Sequence, residues 1–104
     1  MEKQDFLNKI KSGIKSKDPN AEVYLYGSRA RGDYRNDSDW DILVLSPRDK
    51  ITFDYEYNLH DPIFDIELES GEVISLLVYS KSDWQHKRSV SPLFINVAKE
   101  GIRI

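Results

Sequence analysis

The sequence predicts an α+β fold in which helices flank a small mixed sheet of three or four strands, in the order α-β-α-β-α-β-α. Three observations predict it. Phe6, Leu7, Ile10 and Ile14 recur at helical spacing through an otherwise Lys-, Ser- and Asp-rich segment. Three short apolar runs, at 21–26, 40–45 and 73–79, have the length and composition of strands. The segments between and after them carry helical spacings and end signals, so helices pack against a sheet. With 104 residues the chain bounds the answer to one domain, residues 1–104, with one modest core.

Taken in order, residues 3–16 read as an amphipathic helix whose task is packing. Lys17-Asp18-Pro19-Asn20 is a turn, because Pro19 disfavours helix at Asp18 and Asn tolerates turn geometry. Ala21 to Tyr26 is the first strand, Ser28 to Gly32 a short helical turn, and Asp33 to Asp37 a polar loop. Trp40 to Leu45 is the second strand, stopped by Ser46-Pro47. Residues 51–70 read as helix, with Phe53, Tyr57, Phe64 and Leu68 as its apolar stripe. Pro62 either kinks that helix or opens a second one capped by Asp61. After Ser70-Gly71, Val73 to Tyr79 suits a buried third strand. Ser82-Asp83-Trp84 begins a short turn or helix. Ser91-Pro92 opens a last helix of Leu93, Phe94, Val97 and Ala98, ended by Gly101.

Composition excludes several classes of function. Eighteen acidic against fifteen basic residues leave a net charge of −3, so strong nucleic-acid binding is not expected. The absence of cysteine removes a disulfide framework, a thiolate metal site and a Cys nucleophile together. No apolar run approaches the ~18 residues that span a bilayer, and the N-terminus has no apolar signal core, so a soluble, cytoplasmic protein is expected with no membrane partner.

The chemistry concentrates between Leu25 and Leu45. The first half, Leu25-Tyr26-Gly27-Ser28-Arg29-Ala30-Arg31-Gly32, is an apolar run feeding the start of a helix. Unpaired N–H groups there attract anions; Gly27 lets the chain approach a phosphate closely, and the Ser28 hydroxyl adds a donor. Arg29 and Arg31 follow on the same turn, where at least one can reach phosphate oxygens. Asp39 and Asp41 stand two apart at the head of an apolar run, so on a strand both carboxylates point to one side. At a separation of about 6 Å they repel by roughly 3 kcal/mol at an effective dielectric of 20. A divalent cation such as Mg²⁺, with Mn²⁺ as a substitute, offsets that repulsion and leaves positions open for substrate phosphates. Ser38 reads as a hydroxyl that fixes the loop or touches nucleotide, since no base accompanies it as a nucleophile. His60 reads as a cap or surface residue, and Gln85-His86-Lys87-Arg88 as a solvated basic face. Trp40 faces the core, and Trp84 is partly buried.

At these residues the string G-S-x-A-R-G (Gly27, Ser28, Ala30, Arg31, Gly32), followed by S-D-x-D (Ser38, Asp39, Asp41) and an apolar run, resembles the minimal nucleotidyltransferase domains of the DNA polymerase beta-like superfamily. The resemblance implies the small nucleotidyltransferase fold. It implies transfer of a nucleoside monophosphate, AMP from ATP, to a hydroxyl acceptor, with Asp39 and Asp41 as catalytic metal ligands. Gly27, Ser28, Arg29, Arg31 and Ser38 would line the nucleotide. It further suggests an acceptor on a partner protein, as in antitoxins that modify a HEPN-type toxin. One departure stands out. Active family members carry a third acidic residue on the third strand, whereas Val73-Ile74-Ser75-Leu76-Leu77-Val78 contains none. Ser75 lies nearest that place and Glu72 is the closest upstream carboxylate; three residues apart on a strand, they face opposite sides. A binding module that has lost transfer activity, an antitoxin-like domain working through nucleotide or partner binding, is the alternative.

Overall fold

The computed structural model describes residues 2–87 and 89–104. Nine elements follow one another: α1 (Lys3–Lys17), β1 (Glu22–Tyr26), α2 (Ser28–Arg31), β2 (Trp40–Ser46), α3 (Phe53–Ser70), β3 (Ile74–Ser80), α4 (Lys81–Lys87), α5 (Pro92–Glu100) and β4 (Ile102–Arg103). The four strands form one mixed sheet in the order β3-β2-β1-β4. β1 runs antiparallel to both neighbours, and β2 runs parallel to β3 across the α3 crossover. The short β4, which follows Gly101, supplies the fourth strand. Two helices, α4 and α5, follow β3, one more than the predicted element order contains.

Strand alternation divides the core. Val23 and Leu25 of β1, Trp40, Ile42 and Val44 of β2, and Ile74 and Val78 of β3 pack with Phe6, Ile10 and Ile14 of α1 and Leu59, Ile63 and Ile66 of α3. Their neighbours in sequence, Tyr26, Leu43, Leu45, Leu77 and Tyr79, meet Trp84 of α4 and Phe94 and Val97 of α5 on the other face. There Tyr79, Trp84 and Phe94 form an aromatic cluster with centroids 5.3–5.8 Å apart. Trp84 is therefore buried rather than partly so. His60 and His86 are exposed; Arg88, in the same basic run as His86, lies outside the described residues.

The α3 helix departs most from the sequence expectation. It runs unbroken through Pro62, capped by the Thr52 hydroxyl accepting from the Tyr55 N–H at 3.1 Å and closed by Gly71 at φ +75°. Pro62 crosses α1 at Gly13, where an added Cβ would stand 2.9 Å from the proline Cβ; a side chain at 13 would force the two helices apart. The stripe toward the sheet is Tyr55, Leu59, Ile63 and Ile66, while Phe53, Tyr57, Phe64 and Leu68 face away from it. Both stripes have helical spacing, so periodicity alone does not choose between them. The first packs into the core with α1 and the sheet, and the Tyr55 hydroxyl donates to the Asp18 carboxylate at 2.7 Å, tying α3 to the end of α1.

Candidate functional site

The corner after β1 is built by glycine at both ends. Gly27, at φ +75° and ψ −159°, holds a conformation that L side chains rarely adopt, and turns the chain from β1 into α2. The N–H groups of Ala30 and Arg31 both donate to the Gly27 carbonyl at 3.0 Å, and Gly32 closes the turn in the left-handed region. Among the described residues, no acceptor meets the N–H of Ser28 or of Arg29. The corner thus presents free donors at a helix start.

The aspartate pair comes to this corner through strand register. β1 and β2 pair Tyr26 with Asp41, on the sheet face that α5 covers. The Asp41 side chain lies directly against Gly27: a Cβ at position 27 would overlap Oδ2 and stand 3.0 Å from Cγ. Asp39, two residues earlier, is exposed. Burial pushes the Asp41 carboxyl above the ordinary carboxylate range, the Asp39 charge pushes it further, Arg31 counteracts, and Glu100 adds a smaller push upward. The Tyr26 phenol beside it is pushed up to about 12, first by burial and then by Asp41. Negative charge is therefore only partly compensated here, the condition a divalent cation relieves.

The candidates for a third ligand separate cleanly. Parallel pairing of β2 with β3 sets Ser75 beside Asp41. Glu72 is engaged elsewhere: its Oε2 accepts from the Trp40 indole N–H at 3.3 Å and lies 3.8 Å from the Arg29 guanidinium. Trp40 packs on Phe6 toward α1, on the face opposite Asp41, so Glu72 is corrected to a structural partner of that side. Two carboxylates with a neutral hydroxyl fit a cation that keeps most of its water or takes phosphate oxygens, as Mg²⁺ does, and not a closed protein cage. No group of three or more His, Asp or Glu side chains placed to hold an ion occurs among the described residues.

The remaining site residues divide. Arg31 stays at the corner, half-exposed, donating to Glu100 at 2.9 Å and to Asp33 at 3.3 Å. The Arg29 guanidinium does not face that corner, so its side chain is part of the scaffold while its N–H remains at the head of α2. Its guanidinium is buried between the Tyr34 and Trp40 rings, at 4.5 and 4.3 Å, and donates to the carbonyls of Asn36 and Ser38. Burying a permanent charge among two rings, two carbonyls and the Glu72 carboxylate fixes the loop that delivers Asp39. Ser38 serves the same loop: its hydroxyl accepts from the Arg35 N–H at 2.8 Å.

Sequence reasoning missed Glu100. From the last turn of α5, one carboxylate oxygen accepts from the Gly27 N–H at 3.1 Å and the other from Arg31, joining residues 73 positions apart. No local signal marks it; it reads as an ordinary solvated helix end, and only α5 packing on the Asp41 face brings it here. With Tyr26, Gly27, Arg31, Leu93 and Asn96 it lines an open pocket beside the corner.

Residues 7–100 match the family described as nucleotidyltransferase domain. A Methanocaldococcus jannaschii protein assigned as a protein adenylyltransferase is 36% identical over 93 residues, which span 84% of this chain and 85% of that protein. A solved structure assigned as a minimal nucleotidyltransferase superposes with a TM-score of 0.65, at 22% identity, over 100% of this chain and 97% of that one. A toxin–antitoxin structure determined with AMP-PNP gives a TM-score of 0.62 at 20% identity, covering 92% of this chain and 69% of that one. At these identities the two structures show a common fold.

Proposed function

From the premise that the chain belongs to the nucleotidyltransferase domain family, we propose that residues 1–104 act as one domain that transfers AMP from ATP to a hydroxyl of a partner protein in the cytoplasm. The observation that carries the reading is the contact of the Asp41 carboxylate with Gly27 at the head of α2. It sets a metal-seeking group against a phosphate-seeking one.

In this reading the Ser28 and Arg29 N–H groups and the Ser28 hydroxyl receive the β- and γ-phosphates. Arg31 turns from Glu100 to the phosphates, and Asp39 and Asp41 hold Mg²⁺, with Mn²⁺ as a substitute. Held there, the cation would supply positive charge against the two carboxylates and the triphosphate. The acceptor oxygen forms a bond to the α-phosphorus in line as the α–β bridging bond breaks; pyrophosphate leaves with the bond electrons, and the hydroxyl proton passes to solvent. The protein adenylyltransferase relative favours ATP and a protein acceptor. The sequence resemblance implies an antitoxin-like role toward a toxin of HEPN type; the toxin–antitoxin neighbour shares the fold.

Ser75 supports a second reading. A hydroxyl beside Asp41 supplies no charge to a metal and no base to the acceptor, which suits a module that binds nucleotide or partner without transfer. Calorimetric titration with ATP and Mg²⁺ is expected to show binding in both cases, abolished by Asp39→Ala with Asp41→Ala. Labelled AMP is expected to enter protein only in the first. Binding that is absent, or indifferent to the double substitution, refutes both.

A further inference from the structure

The outward face of α3 is built for contact. Phe53, Tyr57, Phe64 and Leu68 are 79%, 60%, 58% and 69% exposed. At about 100° per residue they fall within roughly 60° of one another, opposite the stripe that faces the sheet, and run along about 22 Å of helix. The Phe53 and Tyr57 rings already stack, with centroids 5.9 Å apart. A row of large apolar side chains on one helix face, here with His60 between Tyr57 and Phe64, marks a contact site better than scattered ones do.

Charge selects the occupant. Phe53–Ser70 contains Asp54, Glu56, Asp61, Asp65, Glu67 and Glu69 and no Lys or Arg. Glu69 pairs with Lys9, and Glu67 accepts from the Ile74 N–H. Asp54, Asp61 and Asp65 border one side of the stripe and make no ion pair among the described residues. A second copy of this helix would set like charge against like, and an anionic bilayer would be repelled in the same way. We propose that this face docks an amphipathic helix of a partner protein whose apolar stripe is bordered by lysines and arginines. The inference deepens the partner-protein part of the proposed function, and needs neither nucleotide nor metal.

The probe is a fluorescein-labelled helical peptide of about 18 residues with leucines at i, i+3, i+4 and i+7 and lysines on their borders; a twin carries glutamates in place of the lysines. Fluorescence anisotropy is expected to show the lysine peptide binding the full chain and the glutamate twin not binding. Combined Phe53→Ser, Tyr57→Ser, Phe64→Ser and Leu68→Ser should weaken binding at least tenfold with an unchanged circular dichroism spectrum. Combined Asp54→Asn, Asp61→Asn and Asp65→Asn should weaken it several-fold and flatten its salt dependence. Equal affinity for the serine variant would overturn the proposal, as would no binding of either peptide. So would sedimentation as a dimer that the serine variant loses, or stripe-dependent binding to phosphatidylserine vesicles. Calorimetry with MgATP on the same proteins separates the two ideas: absence of nucleotide binding by the wild type sinks transfer and leaves docking standing.

Discussion

Replacing Gly27 with alanine tests the junction on which the site depends. Two costs add. The backbone at φ +75° and ψ −159° is close to glycine-only territory, worth about 1–3 kcal/mol for any other residue. The new methyl would also overlap the Asp41 carboxylate and must displace it or the strand, which as overpacking costs about 1–3 kcal/mol. The sum, roughly 2–6 kcal/mol, is a large part of the 5–15 kcal/mol on the order of which such domains are stable. Urea unfolding followed through the buried Trp40 and Trp84 should show a midpoint lower by about 1–3 M. Gly32→Ala is the control, because its φ of +90° carries backbone strain while nothing lies within 4 Å of the added methyl. It should cost only about 1–2 kcal/mol and retain MgATP binding. Equal losses in the two variants, or undiminished MgATP binding by a folded Gly27→Ala, would refute the contact and the function built on it.

Asp41→Asn should make the protein more stable at pH 7 while abolishing Mg²⁺-dependent nucleotide binding. The folded-state carboxyl titrates above its ordinary value of 3.8, so the native state binds the proton more tightly and stability falls as pH rises through that interval. Melting curves from pH 3 to 8 should therefore diverge above the ordinary carboxylate range and converge below it. Glu100→Gln should tighten MgATP binding by up to about tenfold, since a charge-assisted bond to the Gly27 N–H gives way to a weaker neutral one; weaker binding by calorimetry would instead make Glu100 a metal partner. Ser75→Asp should lower the melting temperature without metal and raise Mg²⁺ or Mn²⁺ affinity at least tenfold, because register sets the new carboxylate beside Asp41. Arg29→Lys should cost about 2–4 kcal/mol in urea unfolding, as an ammonium cannot both fill the slot between Tyr34 and Trp40 and reach two carbonyls.

What was legible in the chain was whatever depends on neighbours in sequence. The helix from Lys3, the strands at Glu22, Trp40 and Ile74, and the glycine turns each follow from periodicity or from a single residue's backbone freedom. Register was half legible: alternation separates Asp41 from Trp40 and Ser75 from Glu72, yet which face each pair meets depends on what covers the sheet. The outward stripe of α3, Phe53, Tyr57, Phe64 and Leu68, has the steps near four that in sequence read as a core stripe. The stripe that is buried packs on α1 and the sheet and includes Tyr55, whose hydroxyl meets Asp18, contacts between residues far apart in sequence. Arg29 and Arg31 look interchangeable in sequence, two residues apart on a short turn. A four-residue helix sends them to opposite sides, one under the Trp40 ring and the other toward Glu100.

Glu100 also bears on how such a site stays folded without its ligand. Asp41 faces a corner whose donors would otherwise draw anions from solvent, and in the free protein the Gly27 N–H and the Arg31 guanidinium share one carboxylate. On the proposed reading, an arriving triphosphate exchanges one anion for another at the same donors. Few bonds are lost outright, and a rotation of the Glu100 side chain suffices, with α5 left in place. The exchange also has a direction. Glu100 adds to the negative field that holds the Asp41 proton too tightly, so a cation bound at Asp41 and the withdrawal of Glu100 favour each other, and metal and nucleotide are expected to bind each more tightly with the other present.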